Sequence, residues 1–272
     1  MKICIVSRID LKEPVELAQS LGWMLRDYGH EVVYEQSVAA ELGYAPVSLS
    51  NRDFSADLIV VLGGDGSVLR TIRLLHKQIP LVGINQGQVG FLTDVEREKA
   101  EEILTSLKLP LPVESRMRIS IEYNGKSVGS ALNEAVIVTS RPAKILKFMV
   151  FVNGKQIDEF RADGLIVGTP TGSTAYAMSA GGPIVDSTIE AMLLVPLAPY
   201  MLSSRPYLIN SESEIEIRLI SVKPALLVID GQDQYEIGEN AKLIIRKSQD
   251  PAIFVDVGRG FFEKVEQKLR LL

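Results

Sequence analysis

The 272-residue chain has one cysteine, one tryptophan and two histidines, and each scarcity removes a class of function. A single thiol forms no disulfide within the chain, so the sequence predicts a protein of a reducing compartment, the cytoplasm. Cys4 lies inside the apolar run Ile3-Cys4-Ile5-Val6 and reads as a small buried hydrophobe. His30 and His76 have no cysteine or carboxylate partners at ligand spacing, so no protein metal site is expected. No apolar run reaches the length of a membrane span, and the N-terminus lacks the charged flank and long apolar stretch of a secretory signal. Lysine and arginine never run longer than two, and the net charge is −5, the opposite of the basic footprint that nucleic acid requires. Neither nucleic acid nor membrane is expected as a partner. No glycine-lysine-Ser/Thr loop follows a strand-like run, which excludes a Walker-type nucleotide hydrolase.

What the chain does have is a pair of glycine-rich turns about a hundred residues apart, Leu62-Gly63-Gly64-Asp65-Gly66-Ser67 and Thr169-Pro170-Thr171-Gly172-Ser173-Thr174-Ala175-Tyr176. The first follows the continuous apolar run Leu58 to Leu62, which reads as a buried parallel strand, and precedes a helix with Val68, Leu69, Ile72 and Leu75 on one face. Gly63 to Gly66 therefore read as a strand-to-helix turn, where N–H groups at the positive end of a helix dipole can hold phosphate. Asp65 is out of place there unless it takes a metal, accepts a hydroxyl proton or sits to one side of the charge. Helix capping is its structural alternative.

Residues 1 to about 105 alternate strand and helix patterns: strands at Lys2 to Ser7, Glu31 to Glu35, Leu58 to Leu62 and Pro80 to Asn85, helices at Pro14 to Tyr28, after Gly66 and at Glu96 to Leu107. This predicts a Rossmann-like, doubly wound α/β domain. Trp23 is expected in its core. Beyond Pro110-Leu111-Pro112, the best linker, short alternating segments are punctuated by Asn124-Gly125, Asn153-Gly154 and Asp230-Gly231, a hairpin texture that predicts an antiparallel β-rich domain. One helical interruption is expected near Ser187 to Leu193. Residues Gly260 to Arg270 read as an amphipathic helix with Phe261, Phe262, Val265 and Leu269 as its buried stripe, packing back on the first domain. The expected domains are 1–108 with 256–272, and 109–255.

The second glycine-rich turn sits in a stretch, Phe160 to Pro183, dense in glycine, small and hydroxyl residues that core packing does not call for. Thr171, Ser173 and Thr174 offer hydroxyls, and Tyr176 offers an aromatic face for a base. Together these describe a nucleotide site. At this point the chain resembles the NAD kinase family over nearly its whole length: Gly63 to Gly66, Asn133-Glu134, Arg161 with Asp163-Gly164, Thr169 to Tyr176, Gly181-Gly182-Pro183, Ser204-Arg205-Pro206 and Asp230-Gly231-Gln232 stand in family order and spacing.

The resemblance implies transfer of the terminal phosphoryl group of ATP, or of inorganic polyphosphate, to the adenosine ribose 2′-hydroxyl of NAD, with NADH as a further acceptor to be tested. It implies Mg²⁺ or another divalent cation on the donor phosphates, and a homodimer or homotetramer. Asp65 is then the proton acceptor, Gly63 and Gly64 the phosphate turn, with Gly66 against the ligand and Arg70 on phosphate. Asn133 and Glu134 would hold the nucleoside; Lys144, Arg161 and Asp163 match further binding positions; Thr174, Ala175, Tyr176, Ala177, Met178 and Ser179 would line the adenosine pocket. Ala198 and Gln232 are placed by spacing alone. Ala162 and Gly168 depart from the family's common glycine-or-serine and serine without removing a functional group. Two rivals remain: a diacylglycerol- or sphingosine-type lipid kinase, which shares the Gly-Gly-Asp-Gly turn, and a non-catalytic dinucleotide-binding module.

Overall fold

The structure, a computed structural model, describes residues 1–87, 90–141, 144–201, 204–221 and 223–269, the side chain of Leu269 excepted. The chain divides into two compact units, residues 1–115 with 252–272, and residues 116–251. Pro110-Leu111-Pro112 belongs to the first unit, where Leu111 packs against the core. No helix among the described residues is long and apolar enough to cross a membrane.

The first unit is a mostly parallel sheet in the order Pro46–Val47, Glu31–Glu35, Lys2–Ser7, Leu58–Gly63, Leu81–Asn85, Ala252–Val255, Val113–Arg116, with Val95–Glu96 beside Leu81–Asn85. Lys2–Ser7, Leu58–Gly63 and Leu81–Asn85 are buried on both faces, which is why they read as unbroken apolar runs. Cys4 is fully buried among them, and burial pushes its thiol up to about 12, so it stays protonated and inert. The first helix spans Lys12–Asp27 and buries Pro14, Ala18, Leu21, Gly22 and Leu25. Trp23 falls off that stripe and is 54% exposed, against the expectation that it is core. A short helix, Gln36–Leu42, carried no helical stripe long enough to be read from sequence. Where one helix was expected from Glu96 to Leu107, a 3₁₀ turn at Arg97–Lys99 leads into Ala100–Ser106.

The C-terminal helix, Phe261–Leu269, does pack on this unit. Its inward residues differ from the expected stripe: Val265 and Lys264 are buried, whereas Phe262 is 65% exposed. The expected place of Leu269 in that stripe falls outside the described side chains, and Arg270 outside the described residues. Lys264 replaces an aromatic in the interior because a carboxylate, Asp94, waits for it there.

The second unit is a pair of six-stranded antiparallel sheets. One runs Tyr207–Asn210, Ala191–Leu197, Gly164–Gly168, Glu134–Thr139, Ala225–Ile229, Asp233–Ile237; the other runs Lys155–Ala162, Leu146–Val152, Ile215–Leu219, Lys242–Lys247, Ile119–Tyr123, Lys126–Ala131. Alternate residues of both, among them Ile137, Leu165, Phe148 and Ile217, form one core. Asn124-Gly125 and Asn153-Gly154 close their hairpins with both residues at positive φ, the geometry their sequence predicts. A smaller cluster of Val136, Ile166, Ala177, Val185, Leu193 and Val195 covers the outer face of the first sheet. Consequently Ala191–Leu197 is buried throughout and is a strand. The helix expected near Ser187 to Leu193 does not form, because an apolar run without alternation does not distinguish a buried strand from a buried helix.

Candidate functional site

Two groups of polar residues stand out, one in each unit. In the first unit, Leu58–Gly63 runs as a strand to Gly63, Gly64 alone makes the connection with extended backbone, and the helix begins at Asp65. The turn is thus tighter than the sequence implied: Asp65 and Gly66 belong to the first helical turn, anchored by the Ser67 N–H donating to the Gly64 carbonyl at 2.9 Å.

The Asp65 carboxylate is held by the backbone. Its Oδ2 accepts from the Phe91 N–H and its Oδ1 from the Leu92 N–H, each at 2.9 Å. A Cβ on Gly90 would overlap both Asp65 Oδ1 and Thr93 Oγ1, so only glycine lets the chain pass there. Thr93 is buried, and its hydroxyl has no hydrogen-bond partner. The segment Gly90-Phe91-Leu92-Thr93 escaped the sequence reading. Its signal was available: Gly87 and Gly90 follow a buried strand and precede a Phe-Leu-Thr triplet, a second glycine-bearing loop at a strand end. Arg70 lies one helical turn beyond Gly66, with its guanidinium 3.2 Å from the buried Glu35 carboxylate. That carboxylate also accepts the Ser37 N–H at the start of Gln36–Leu42, so Arg70 fastens neighbouring elements as well as standing near the turn.

In the second unit, Asn133 and Glu134 enter the strand Glu134–Thr139, opposite Gly168 on one side and beside the Ala225–Ile229 hairpin on the other. The hairpin loop reaches over with Asp230, whose Oδ1 accepts from the N–H groups of Asn133 (2.8 Å) and Glu134 (3.0 Å) and whose Oδ2 accepts from Leu132 (2.8 Å). In return the Asp230 N–H donates to the Glu134 carbonyl. Sequence gave Asp230 the role of a turn residue; it is also the clamp on the Asn-Glu pair, and Gln232 sits on the same loop. The second glycine-rich turn presses against this pair. A Cβ on Gly172 would overlap the Asn133 carbonyl, so the 3₁₀ turn Thr171–Thr174 lies backbone to backbone on Asn133. The Tyr176 N–H lies near the Glu134 carboxyl and favours its charged form.

Hydroxyls of the second glycine-rich turn bond within the turn itself. Thr169 Oγ1 donates to the Leu132 carbonyl and accepts from the Gly172 N–H; Ser173 Oγ both donates to and accepts from Val185; Thr174 Oγ1 donates to the Thr171 carbonyl. They staple the turn in place, which corrects the view that packing has no use for them. Tyr176 and Ser179 are exposed, Ala175 and Met178 half-buried, and Ala177 is buried in the apolar cluster beneath.

Arg161, Asp163 and Ala198 gather elsewhere, and Lys144 donates its N–H to the Arg141 carbonyl just beyond Thr139. Asp163 donates its N–H to the Leu197 carbonyl and accepts from Thr139 at its own, while Arg161 accepts the Tyr200 N–H. They lie at the Thr139 end of a strand whose other end is Glu134, about 17 Å away at the rise of an extended chain. Ala198, at φ +45°, makes the bend beside them.

Glu134 is 7% exposed and one of its oxygens has no hydrogen-bond partner. Burial, with the Asp230 charge adding to it, pushes its carboxyl up to about 8. Burial raises Asp230 as well, but three backbone N–H donors and the buried Arg118 oppose that, so Glu134 is the member of the pair that keeps a proton near neutrality. A native carboxyl raised above its unfolded value binds a proton that the unfolded chain has released, so stability is greatest below the unfolded pKa and falls as pH rises toward about 8. Wild-type stability relative to Glu134→Gln is therefore expected to drop by about 1.4 kcal/mol per pH unit through that window, measured by urea denaturation. Parallel pH profiles for the two proteins would show that Glu134 is ionised throughout.

Comparison with known proteins agrees with this architecture. A family model described as the ATP-NAD kinase N-terminal domain matches residues 3–108, and one described as the ATP-NAD kinase C-terminal domain matches residues 132–257. The chain is similar over its whole length to an NAD kinase of Methanocorpusculum labreanum, 90% identical with all of both chains covered, and to one of Methanoregula boonei, 53% identical over the same span. Among solved structures it is similar to an NAD kinase of Archaeoglobus fulgidus crystallised with ATP, at TM-score 0.82 and 30% identity with both chains fully covered. It shares its fold with a yeast NADH kinase complexed with NADH, at TM-score 0.89 and 22% identity, covering 99% of this chain and 87% of that one. The match of both halves sets the lipid-kinase alternative aside: this chain belongs to the ATP-NAD kinase family.

Proposed function

We propose that the protein transfers the terminal phosphoryl group of ATP to the 2′-hydroxyl of the adenosine ribose of NAD, giving NADP. The observation that carries the reading, within a chain of this family, is the Asp65 carboxylate fixed by two backbone N–H groups at the head of a helix that follows a buried parallel strand.

A carboxylate is far too weak a base to ionise a ribose alcohol beforehand. Phosphoryl transfer passes through a loose transition state in which the nucleophile's proton is lost late, so Asp65 orients the hydroxyl and takes its proton as the new P–O bond forms. Each Asp65 oxygen accepts one N–H, which leaves a lone pair on each for that purpose. The helix N-terminus at Gly64 to Gly66, with Arg70, favours the charge on the migrating group. Mg²⁺ takes most of its ligands from phosphate oxygens and water and needs only one or two protein carboxylates. Asp65 is the carboxylate in the turn able to join them. Bound there, the ion would neutralise charge on the donor phosphates.

Asn133 and the unpartnered oxygen of Glu134 are suited to the nucleoside hydroxyls and adenine edge, beside the exposed ring of Tyr176. Lys144, Arg161, Asp163 and Ala198 lie toward the opposite end of the Glu134–Thr139 strand. In a homodimer or homotetramer, which we propose for this cytoplasmic enzyme, a second copy would bring them to the same adenosine. The test is NADP(H) formation by the purified protein with NAD or NADH, each with ATP or polyphosphate and Mg²⁺. NADP from NAD and ATP is expected. Tight NAD binding with no product from any donor would identify a binding module instead.

A further inference from the structure

The segment that holds Asp65 is itself held, from the far end of the chain. On one side the Phe91 and Leu92 N–H groups grip the Asp65 carboxylate. On the other, the Asp94 carboxylate meets the Lys264 ammonium at 2.6 Å, with both side chains buried. The Arg259 guanidinium donates to the Asp94 carbonyl at 3.2 Å, and the Lys268 ammonium lies 4.1 Å from the centre of the Phe91 ring. Three cations from the C-terminal helix and the turn before it thus converge on four consecutive residues, of which Phe91, Leu92 and Thr93 are buried.

A buried ion pair is a poor source of stability, since two apolar residues of similar volume usually serve as well or better. What it does supply is a unique position. An unpaired charge in the interior is prohibitive, so Asp94 has one place to be, and the backbone two residues earlier is fixed with it. Position is what Asp65 requires. Backbone N–H groups orient a carboxylate only as well as their own chain is anchored, and small misplacements of a reacting group cost large factors in rate.

We infer that Lys264 is a positioning residue for phosphoryl transfer, acting from the C-terminal helix through Asp94 and the Phe91–Leu92 amides on the Asp65 carboxylate. This rests on the reading of Asp65 given above. The experiment uses the full-length enzyme and the double variant Lys264→Met/Asp94→Asn, which removes both charges at nearly constant volume and so avoids stranding one of them. Its kcat is expected to fall roughly 10-fold, with KM for NAD and ATP within about twofold of wild type. Hydrogen exchange at the Phe91 and Leu92 amides should quicken while the strand Leu58–Gly63 keeps its protection. Introduced into Asp65→Asn, the same pair of changes should lower residual turnover no further, because the path runs through the missing carboxylate.

Wild-type kcat in the folded double variant would overturn the proposal, as would an equal fold-loss in the Asp65→Asn background. Should the double variant fail to fold, Lys264→Arg, which keeps the charge but moves its contact with Asp94, replaces it in the same cycle. The expected result is a severalfold lower kcat, unchanged KM and no further loss in Asp65→Asn; an unchanged kcat overturns the proposal. Near-normal turnover of Asp65→Asn alone would overturn the reading of Asp65, and the positioning role with it.

Discussion

Asp65→Asn is expected to lower NADP formation by roughly 10²-fold or more, the range of a positioned proton acceptor, while NAD binds within a few-fold of wild type. The variant is nearly isosteric, so the helix start and the shape of the turn survive. Two things are lost together. An amide has no capacity to take the ribose proton, and its NH₂ group must face a backbone N–H, Phe91 or Leu92, where the carboxylate offered an acceptor to each. The loss should therefore appear in kcat, with KM nearly constant. Turnover within a few-fold of wild type would assign Asp65 to capping and clamping alone.

Asp230→Ala is expected to destabilise the second unit by about 3–5 kcal/mol, the range for breaking a buried charge away from its partners. Three consecutive N–H groups, at Leu132, Asn133 and Glu134, lose their acceptor at once, beside the buried Arg118. Relief of carboxylate burial offsets part of the cost, since burial already opposes the charge on Asp230. Without that neighbouring charge the Glu134 carboxyl should also titrate lower. Urea unfolding at fixed pH measures the first effect and the pH dependence of stability the second. A loss below about 1 kcal/mol would mean that water satisfies the exposed amides.

The two aspartates differ in how much their residue type reveals. Asp65 was legible because an acid between glycines at a strand-to-helix turn conflicts with phosphate binding, and the conflict asks for a chemical reason. Asp230-Gly231 satisfied a simpler rule, the hairpin, and so hid its second task. The clamp at Gly90 to Leu92 was invisible for a different cause: its donors are main-chain amides, which every residue but proline carries. Hydroxyls leave two uses open. Ser173 and Thr169 look the same in sequence whether they await a ligand or staple a loop.

The fold was legible where an element carries an unbroken apolar run, as at Ile3 to Val6 and Leu58–Gly63, and at the Asn-Gly hairpins. It was not legible where size stood in for position. Trp23 and Phe262 are large and apolar yet exposed, while Lys264 is charged yet buried, because burial follows the phase of the helix and the partner opposite.

The strand Ala252–Val255 lies between Leu81–Asn85 and Val113–Arg116, which precede it by well over a hundred residues. A ribosome releases everything needed for the sandwich, residues 116–251, before it releases the piece that completes the parallel sheet. The half bearing Asp65 must wait for a strand made only after the whole sandwich, and a cut just before Ala252 would strike that half while leaving residues 116–251 contiguous.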